Sequence, residues 1–333
     1  MRRIVAVRFP APIYASPAVV GNRIYAQDAR GNMACVDAAT NRPIWTRPLG
    51  GINNASSPAV ARGRVYVGST ADAFFILDAN NGDVVRRIPT SGGVVSAPAI
   101  VGESIYFSTF NGNLVKINHD GDVIWTFDGG RTSITEFAAS KDRIVFFAGT
   151  DNTIQYVLRD AGDSVKVVSK RASPGQTCPT GGPVLIGDSD HAFQCFDSEF
   201  GTFFLGDRIL ALDAHETRAT PSARGTRLYR GDKTWELNGL KRNELRPHPQ
   251  RSGQNAPLLW RADPKSLYDG GFHSSPALAR DVLAVGTERG SLLFFSLEGT
   301  DQPLWQATTT RASLPNDATG SSRAISSSPA IID

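Results

Sequence analysis

The residues whose types could do chemistry in this 333-residue chain are three cysteines, five histidines and several Asp/Asn-Gly clusters. Cys35, Cys178 and Cys195 lack the paired close spacing that a zinc site needs. Cys178 and Cys195 flank a predicted strand and turn, and read either as a disulfide or as two buried free thiols; Cys35 alternates with apolar residues in a strand and reads as core. His119, His191, His215, His248 and His273 fall at no metal-ligand spacing. Asp188, Asp190 and His191 stand together in a turn, where Asp is a residue the backbone itself favours. Asn80-Asn81-Gly82-Asp83 superficially resembles a calcium loop but lacks the distant Glu that completes one. Gly129-Gly130 and Gly181-Gly182 precede no helix, so a phosphate cradle is not supported. These residues predict no catalytic site, no metal and no cofactor.

Composition narrows the function classes. With 41% hydrophobic and 20% charged residues the chain is of globular type, and a formal net charge of +3 supplies no field for nucleic acid or a membrane surface. Lys and Arg gather only in pairs such as Arg86-Arg87 and Lys170-Arg171. No apolar run is long enough for a membrane-spanning helix. Residues 1–8 have a basic flank but too short an apolar stretch for a secretory leader, so the chain reads as cytoplasmic or as lacking its leader.

The elements that must position any site come from an internal repeat. Ser16-Pro17-Ala18-Val19, Ser57-Pro58-Ala59-Val60 and Ala97-Pro98-Ala99-Ile100 each lead to a Tyr eight residues after the Pro: Tyr25, Tyr66 and Tyr106. Ser275-Pro276-Ala277-Leu278 and Ser328-Pro329-Ala330-Ile331 restart the pattern, with Phe137, Pro183 and Pro221 opening looser copies. Restarts at 17, 58, 98, 137, 183, 221, 276 and 329 are 41, 40, 39, 46, 38, 55 and 53 residues apart. A period near forty fits one four-stranded propeller blade. Asn-Gly and Asp-Gly dipeptides supply the positive φ of tight hairpins. The expected fold is all-β: one β-propeller domain over residues 1–333, with seven or eight four-stranded antiparallel blades and irregular insertions near 150–180 and 238–257. Trp45, Trp125, Trp260 and Trp305 occupy the outer strand and are expected to wedge between neighbouring blades.

The Ser-Pro-Ala…Gly…Tyr stretch, followed by a Val/Leu-Asp-Ala turn and a Trp, resembles the repeat of the pyrroloquinoline-quinone-type propeller superfamily, cleanly over residues 15–127 and 272–333. Among its members the repeats are similar to those of propeller lipoproteins that serve outer-membrane β-barrel assembly. That resemblance implies a non-catalytic scaffold binding protein partners in the periplasm or cell envelope, although no lipid-attachment cysteine stands near the start. The alternative is a quinone-dependent oxidoreductase. Those enzymes carry a quinone over calcium in the central funnel, and many have adjacent cysteines, which this chain lacks.

Loops entering each innermost strand ring the mouth of a propeller, and there Asn54, Arg131, Glu136, Gln176, His273 and Arg323 are the candidate contacts for a partner. The eighth restart stops after one strand, and residues 3–9 alternate like an outer strand, so the two ends are expected to share an incomplete blade. Its unpaired edges would invite strand addition by a partner. A misread middle, a longer parent chain or a second chain completing the ring would each explain the shortfall.

Overall fold

The computed structural model describes residues 9–130, 136–148, 154–172, 184–185, 191–194, 200–205, 208–213, 222–224, 227–231, 237–241, 258–262, 274–279, 281–287, 291–297 and 304–308. Their strands fall into two compact units that divide after Arg171.

The first unit holds four sheets. They are β1 (Ala18–Val20), β2 (Arg23–Gln27), β3 (Asn32–Asp37) and β4 (Pro43–Pro48); β5 (Ala59–Ala61), β6 (Arg64–Ser69), β7 (Ala73–Asp78) and β8 (Val84–Pro89); β9 (Ala99–Val101), β10 (Ser104–Ser108), β11 (Asn113–Ile117) and β12 (Val123–Asp128); and β13 (Phe137–Ala139), β14 (Arg143–Ala148), β15 (Ile154–Asp160) and β16 (Val165–Ala172). The second unit holds β17 (Val184–Leu185), β18 (His191–Gln194), β19 (Phe200–Leu205) and β20 (Arg208–Asp213); β21 (Ser222–Arg224), β22 (Arg227–Gly231), β23 (Leu237–Lys241) and β24 (Leu258–Ala262); and β25 (Ala277–Ala279), β26 (Val282–Gly286), β27 (Ser291–Ser296) and β28 (Trp305–Thr308). Each sheet is four-stranded with its strands in chain order, which is the up-and-down blade of a propeller. First strands stand side by side: β1 by β5, β5 by β9 and β9 by β13 in one unit, β17 by β21 and β21 by β25 in the other.

Five sheets, the four of the first unit and β25–β28, are described with their side-chain packing; β17–β20 and β21–β24 are described as backbone ladders. The sequence reading of seven or eight blades is thereby corrected to five blades characterised in full. A restart marks one strand, whereas a blade requires four paired ones, and the restart at Pro329 lies outside the described residues. Residues 154–172, inside the stretch read as an insertion, are the second half of the fourth blade. Of the other expected insertion, 238–241 belongs to β23 and 242–257 lies outside the described residues. So do residues 1–8 and 311–333, on which the shared end blade rested.

Middle strands are buried on both faces, as the pattern BBBBBi along β7 shows. Alternation divides each strand between two seams. Val65, Val67, Phe75 and Leu77 pack with Tyr25, Met33, Cys35 and Trp45 of the first blade. Tyr66, Phe74 and Ile76, one position over, pack with Ile105, Phe107, Val115 and Ile117 of the third. Phe74 stacks on Phe107 with centroids 4.1 Å apart and planes 6° from parallel. Each such buried side chain contributes about 1.5–3 kcal/mol. A one-residue slip would move a whole set to the wrong seam, so the pattern also pins register.

Polar side chains close the connections. Asp37, Asp78 and Asn118 each accept, through Oδ1, the amide two residues on, at 2.9, 2.7 and 3.0 Å, folding the turn into the fourth strand. In three blades a buried serine clips the inner strand to the second strand. Ser56 Oγ accepts from Gly68 N at 2.9 Å, Ser96 Oγ from Ser108 N at 3.0 Å and Ser274 Oγ from Gly286 N at 2.6 Å. Ser56 also donates to the Ser96 carbonyl at 2.8 Å, tying its blade to the next. Outer strands are blunted against stray pairing: register slips by one residue at Ile44, Val85 and Ile124, and Pro48 and Pro89 end β4 and β8.

Replacing Ser56 with Ala leaves the buried Gly68 amide and Ser96 carbonyl without these partners. Chemical denaturation is expected to show a loss of about 1–3 kcal/mol, against less than about 0.5 kcal/mol for the exposed control Ser91→Ala.

Candidate binding face and the seams that hold it

In an up-and-down blade, the turn from second to third strand and the loop leaving the fourth emerge at the same end. Residues 49–58 and 70–72 therefore meet there, joined in the next blade by 90–98 and 109–112. Gly50, Gly51 and Asn53 all have positive φ, at 80°, 90° and 53°. At Gly51 a Cβ would lie 2.5 Å from Thr70 Oγ1, so the approach demands glycine.

This contorted backbone is held from several sides. Asn54 is fully buried; its Oδ1 accepts from Thr70 N at 2.8 Å and its Nδ2 donates to Gly50 O at 3.2 Å. Ser69 Oγ also donates to Gly50 O, at 2.9 Å. Thr70 Oγ1 accepts from Ile52 N at 2.9 Å and donates to Ile52 O at 2.7 Å. With both backbone groups of Ile52 fixed, its side chain points outward and is 75% exposed. In the neighbouring blade Phe110, 43% exposed, donates its amide to Gly93 O at 2.9 Å. A Cβ on Gly93 would meet Thr70 Cα at 3.0 Å and the Phe110 ring at 3.1 Å, so Thr70 and Phe110 adjoin the same glycine. Ile52 and Phe110 thus belong to one surface, displayed by loops whose shape is set from within. Such a surface suits binding through apolar side chains.

The candidate residues from sequence separate here. Asn54 lies inside the loop and shapes it. Glu136 is exposed, just ahead of β13. Arg131, Gln176, His273 and Arg323 lie outside the described residues, as do Cys178 and Cys195. Ile52 and Phe110 are apolar and escape a reading that seeks polar groups; for Ile52 the available signal was a lone apolar residue between Gly51 and Asn53, both at positive φ.

The seams beneath the face combine rings with polar tethers. Tyr25 OH and Trp45 Nε1 both donate to Ala79 O of the next blade, each at 3.1 Å. Tyr66 OH meets His119 Nδ1 at 2.7 Å. Arg86 stands where β4 and β12 have Trp45 and Trp125: its Cγ would lie 2.8 Å from a Cβ on Gly121, and its guanidinium is 3.6 Å from Asp122. Trp260 and Trp305 pair, as backbone, with Gly239 and Phe294. Cys35 is buried, and burial pushes its thiol up, away from the reactive thiolate.

Between the third and fourth blades the tether is ionic, and no motif announced it. Lys116 Nζ donates to Asp160 Oδ2 at 2.6 Å and to Gly162 O at 2.7 Å, with the two side chains only 5% and 3% exposed. Tyr106 OH donates to the same carboxylate, and Trp125 Nε1 reaches its Oδ1 at 3.3 Å. Burial pushes the Asp160 carboxyl up, but the bonds from Lys116, Tyr106 and Gly162 N outweigh it and hold the net value below the ordinary carboxylate range. Burial and the adjoining carboxylate push the Tyr106 hydroxyl well above its usual range. A stable ion pair sealed in this way acts as a clasp. Among the described residues no group of three or more His, Cys, Asp or Glu could hold a metal ion.

Blade order, two-faced burial and seam tethers define the class: an all-β propeller of four-stranded antiparallel blades. A family model described as "Outer membrane protein assembly factor BamB" matches residues 3–59 and 54–177, together just over half of the chain. The chain belongs to that family. Outer membrane protein assembly factor BamB of Legionella pneumophila (strain Paris) is 31% identical over 111 residues, 33% of this chain and 29% of that protein. The same factor from Yersinia pestis is 26% identical over 164 residues, 45% of this chain and 42% of that protein. Tetrathionate hydrolase of Acidithiobacillus ferrooxidans is 29% identical over 161 residues, 44% of this chain and 32% of that protein. These matches span less than half the length of the curated relatives. Among solved structures, the computationally designed Ika8 protein superposes with TM-score 0.72 at 13% identity, covering 90% of this chain and 87% of that one. BamB from Moraxella catarrhalis superposes with TM-score 0.66 at 13% identity, covering 92% and 88%. These two likenesses speak for the fold.

Lys116→Met leaves a buried carboxylate unpaired and is expected to cost about 3–5 kcal/mol, more than Lys116→Met combined with Asp160→Asn. Because the folded Asp160 value lies below the unfolded one, its stabilisation is full above the unfolded carboxylate range and fades as pH falls through the folded value. The stability difference between the native chain and Asp160→Asn, from urea titrations at stepped pH, is expected to shrink below about pH 4.

Proposed function

We propose that this chain is a non-catalytic, protein-binding propeller that serves as a scaffold in outer-membrane protein assembly, in the periplasm or cell envelope. The observation that carries the reading is Ile52, an isoleucine 75% exposed at the tip of a loop whose backbone is fixed from both sides by Thr70. A hydrophobic side chain so held is ready to bind without ordering cost. Phe110 extends the surface, and Arg131, Glu136, Gln176, His273 and Arg323 are proposed as further contacts for a partner. The family match and the relatives named for outer-membrane assembly support the role. Among the described residues no helix is long and apolar enough to cross a membrane. The reading takes residues 1–333 as one propeller domain of four-stranded antiparallel blades.

A catalytic reading draws on the tetrathionate hydrolase likeness alone. The experiment is capture of envelope proteins by the tagged full-length chain from the host's solubilised membranes, read by quantitative mass spectrometry. Components of outer-membrane assembly are expected to be enriched, and Ile52→Asp is expected to reduce them at least tenfold while stability changes by less than about 0.5 kcal/mol. Capture that ignores Ile52→Asp overturns the assignment of this face, and tetrathionate consumption by the purified chain overturns the scaffold reading.

A further inference from the structure

The outer strand of the fourth blade is unlike the others described with it. β4, β8 and β12 have six residues each, and each carries a one-residue register slip near its start; β4 and β8 also end in proline. β16 runs for eight residues, Val165–Ala172, contains no proline, and has a sheet neighbour on one side only, β15. A long edge strand with free backbone donors and acceptors is a template for another strand. Its side chains favour a visitor: Val167 is 50% and Val168 45% exposed, and Lys166 and Lys170 flank them in solvent. Among the described residues neither lysine has a carboxylate within ion-pair distance, and Lys170 instead lies 5.2 Å from the Tyr156 ring centroid.

We propose that β16 is a docking edge for an extended, acidic segment of a partner protein, which adds to the fourth blade as a fifth, antiparallel strand. This rests on the chain being a protein-binding propeller but uses a surface separate from the Ile52 loop. Charge selects the occupant: the strand offers two cations that no carboxylate among the described residues offsets, around an apolar pair, so its complement places acidic residues opposite Lys166 and Lys170 and aliphatic ones opposite Val167 and Val168. Directly opposed cross-strand pairs of this kind reinforce the backbone ladder. The lysines also discourage self-association, since a second copy of β16 would bring like charges together.

The probe is a fluorescein-labelled peptide, Thr-Glu-Thr-Val-Val-Glu-Thr, titrated with the full-length chain and followed by anisotropy. Saturable binding is expected, weakened at least tenfold by Lys166→Glu with Lys170→Glu, and accompanied by protection of β16 amides from hydrogen exchange. The same peptide with Lys in place of both Glu is expected to prefer the charge-reversed variant. Should that variant lose its β-sheet circular dichroism, Val168→Lys serves as the second test, with the same tenfold loss expected. No saturable binding, or binding indifferent to both variants, overturns the proposal. Binding abolished by Ile52→Asp instead places the peptide on the loop face, which overturns the docking edge and leaves the scaffold reading standing. Loss of envelope-protein capture with peptide binding intact has the opposite meaning.

Discussion

No blade in this chain can bury itself. A four-stranded sheet has two faces, and in β7 residues pointing both ways are almost wholly removed from water. Only neighbours on both sides can do that, so the stability of each blade belongs to its two seams. The aromatic pair Phe74 and Phe107 makes the point: each ring sits on its own sheet, and their stacking exists only when two blades meet. Loop geometry inherits the rigidity. The turn bearing Thr70 is anchored between packed strands, which is why it can hold the loop around Ile52 in a backbone shape that isolated chains avoid.

The seams solve one problem with different chemistry. At the first, a phenol and an indole share one backbone oxygen, Ala79 O. At the third, the carboxylate of Asp160 receives the same two kinds of donor and adds a lysine. The second seam uses the Arg86 stem and a histidine. Apolar area dominates everywhere; the tethers fix angle and register, and a buried charge among them makes its seam the one most sensitive to losing a single partner.

Much of the architecture was legible in the repeat. The Pro-to-Tyr spacing located the first two strands of three blades, because Tyr25, Tyr66 and Tyr106 recur at one register position opposite Ala18, Ala59 and Ala99. The fourth blade was only half legible: its hairpin keeps Asp160-Ala161 but has no Asn-Gly or Asp-Gly dipeptide, and β16 has no Trp, so β15 and β16 were hidden in an apparent insertion. The site was less legible still. Asn54 was picked out for its polarity, yet polarity is what a buried loop needs to satisfy itself, and it points inward. Ile52 looked like filler because exposure depends on backbone dihedrals at its neighbours, which composition does not encode. Lys116 and Asp160 are 44 residues apart and become partners only once two blades are set against each other.

The serine clip is absent from the first blade. In the first blade the position of Ser56 is taken by Ala15, and the residue matching Gly68 is Gln27, whose Nε2 reaches Gly68 O at 3.3 Å while its Oε1 is buried without a hydrogen-bond partner. An inner strand that lacks this clip, beside an unsatisfied oxygen, sits lower on the scale of local unfolding than the clipped β5 and β9. Fluctuations that admit water to the first seam are therefore easier at β1 than at the second and third blades, clipped by Ser56 and Ser96.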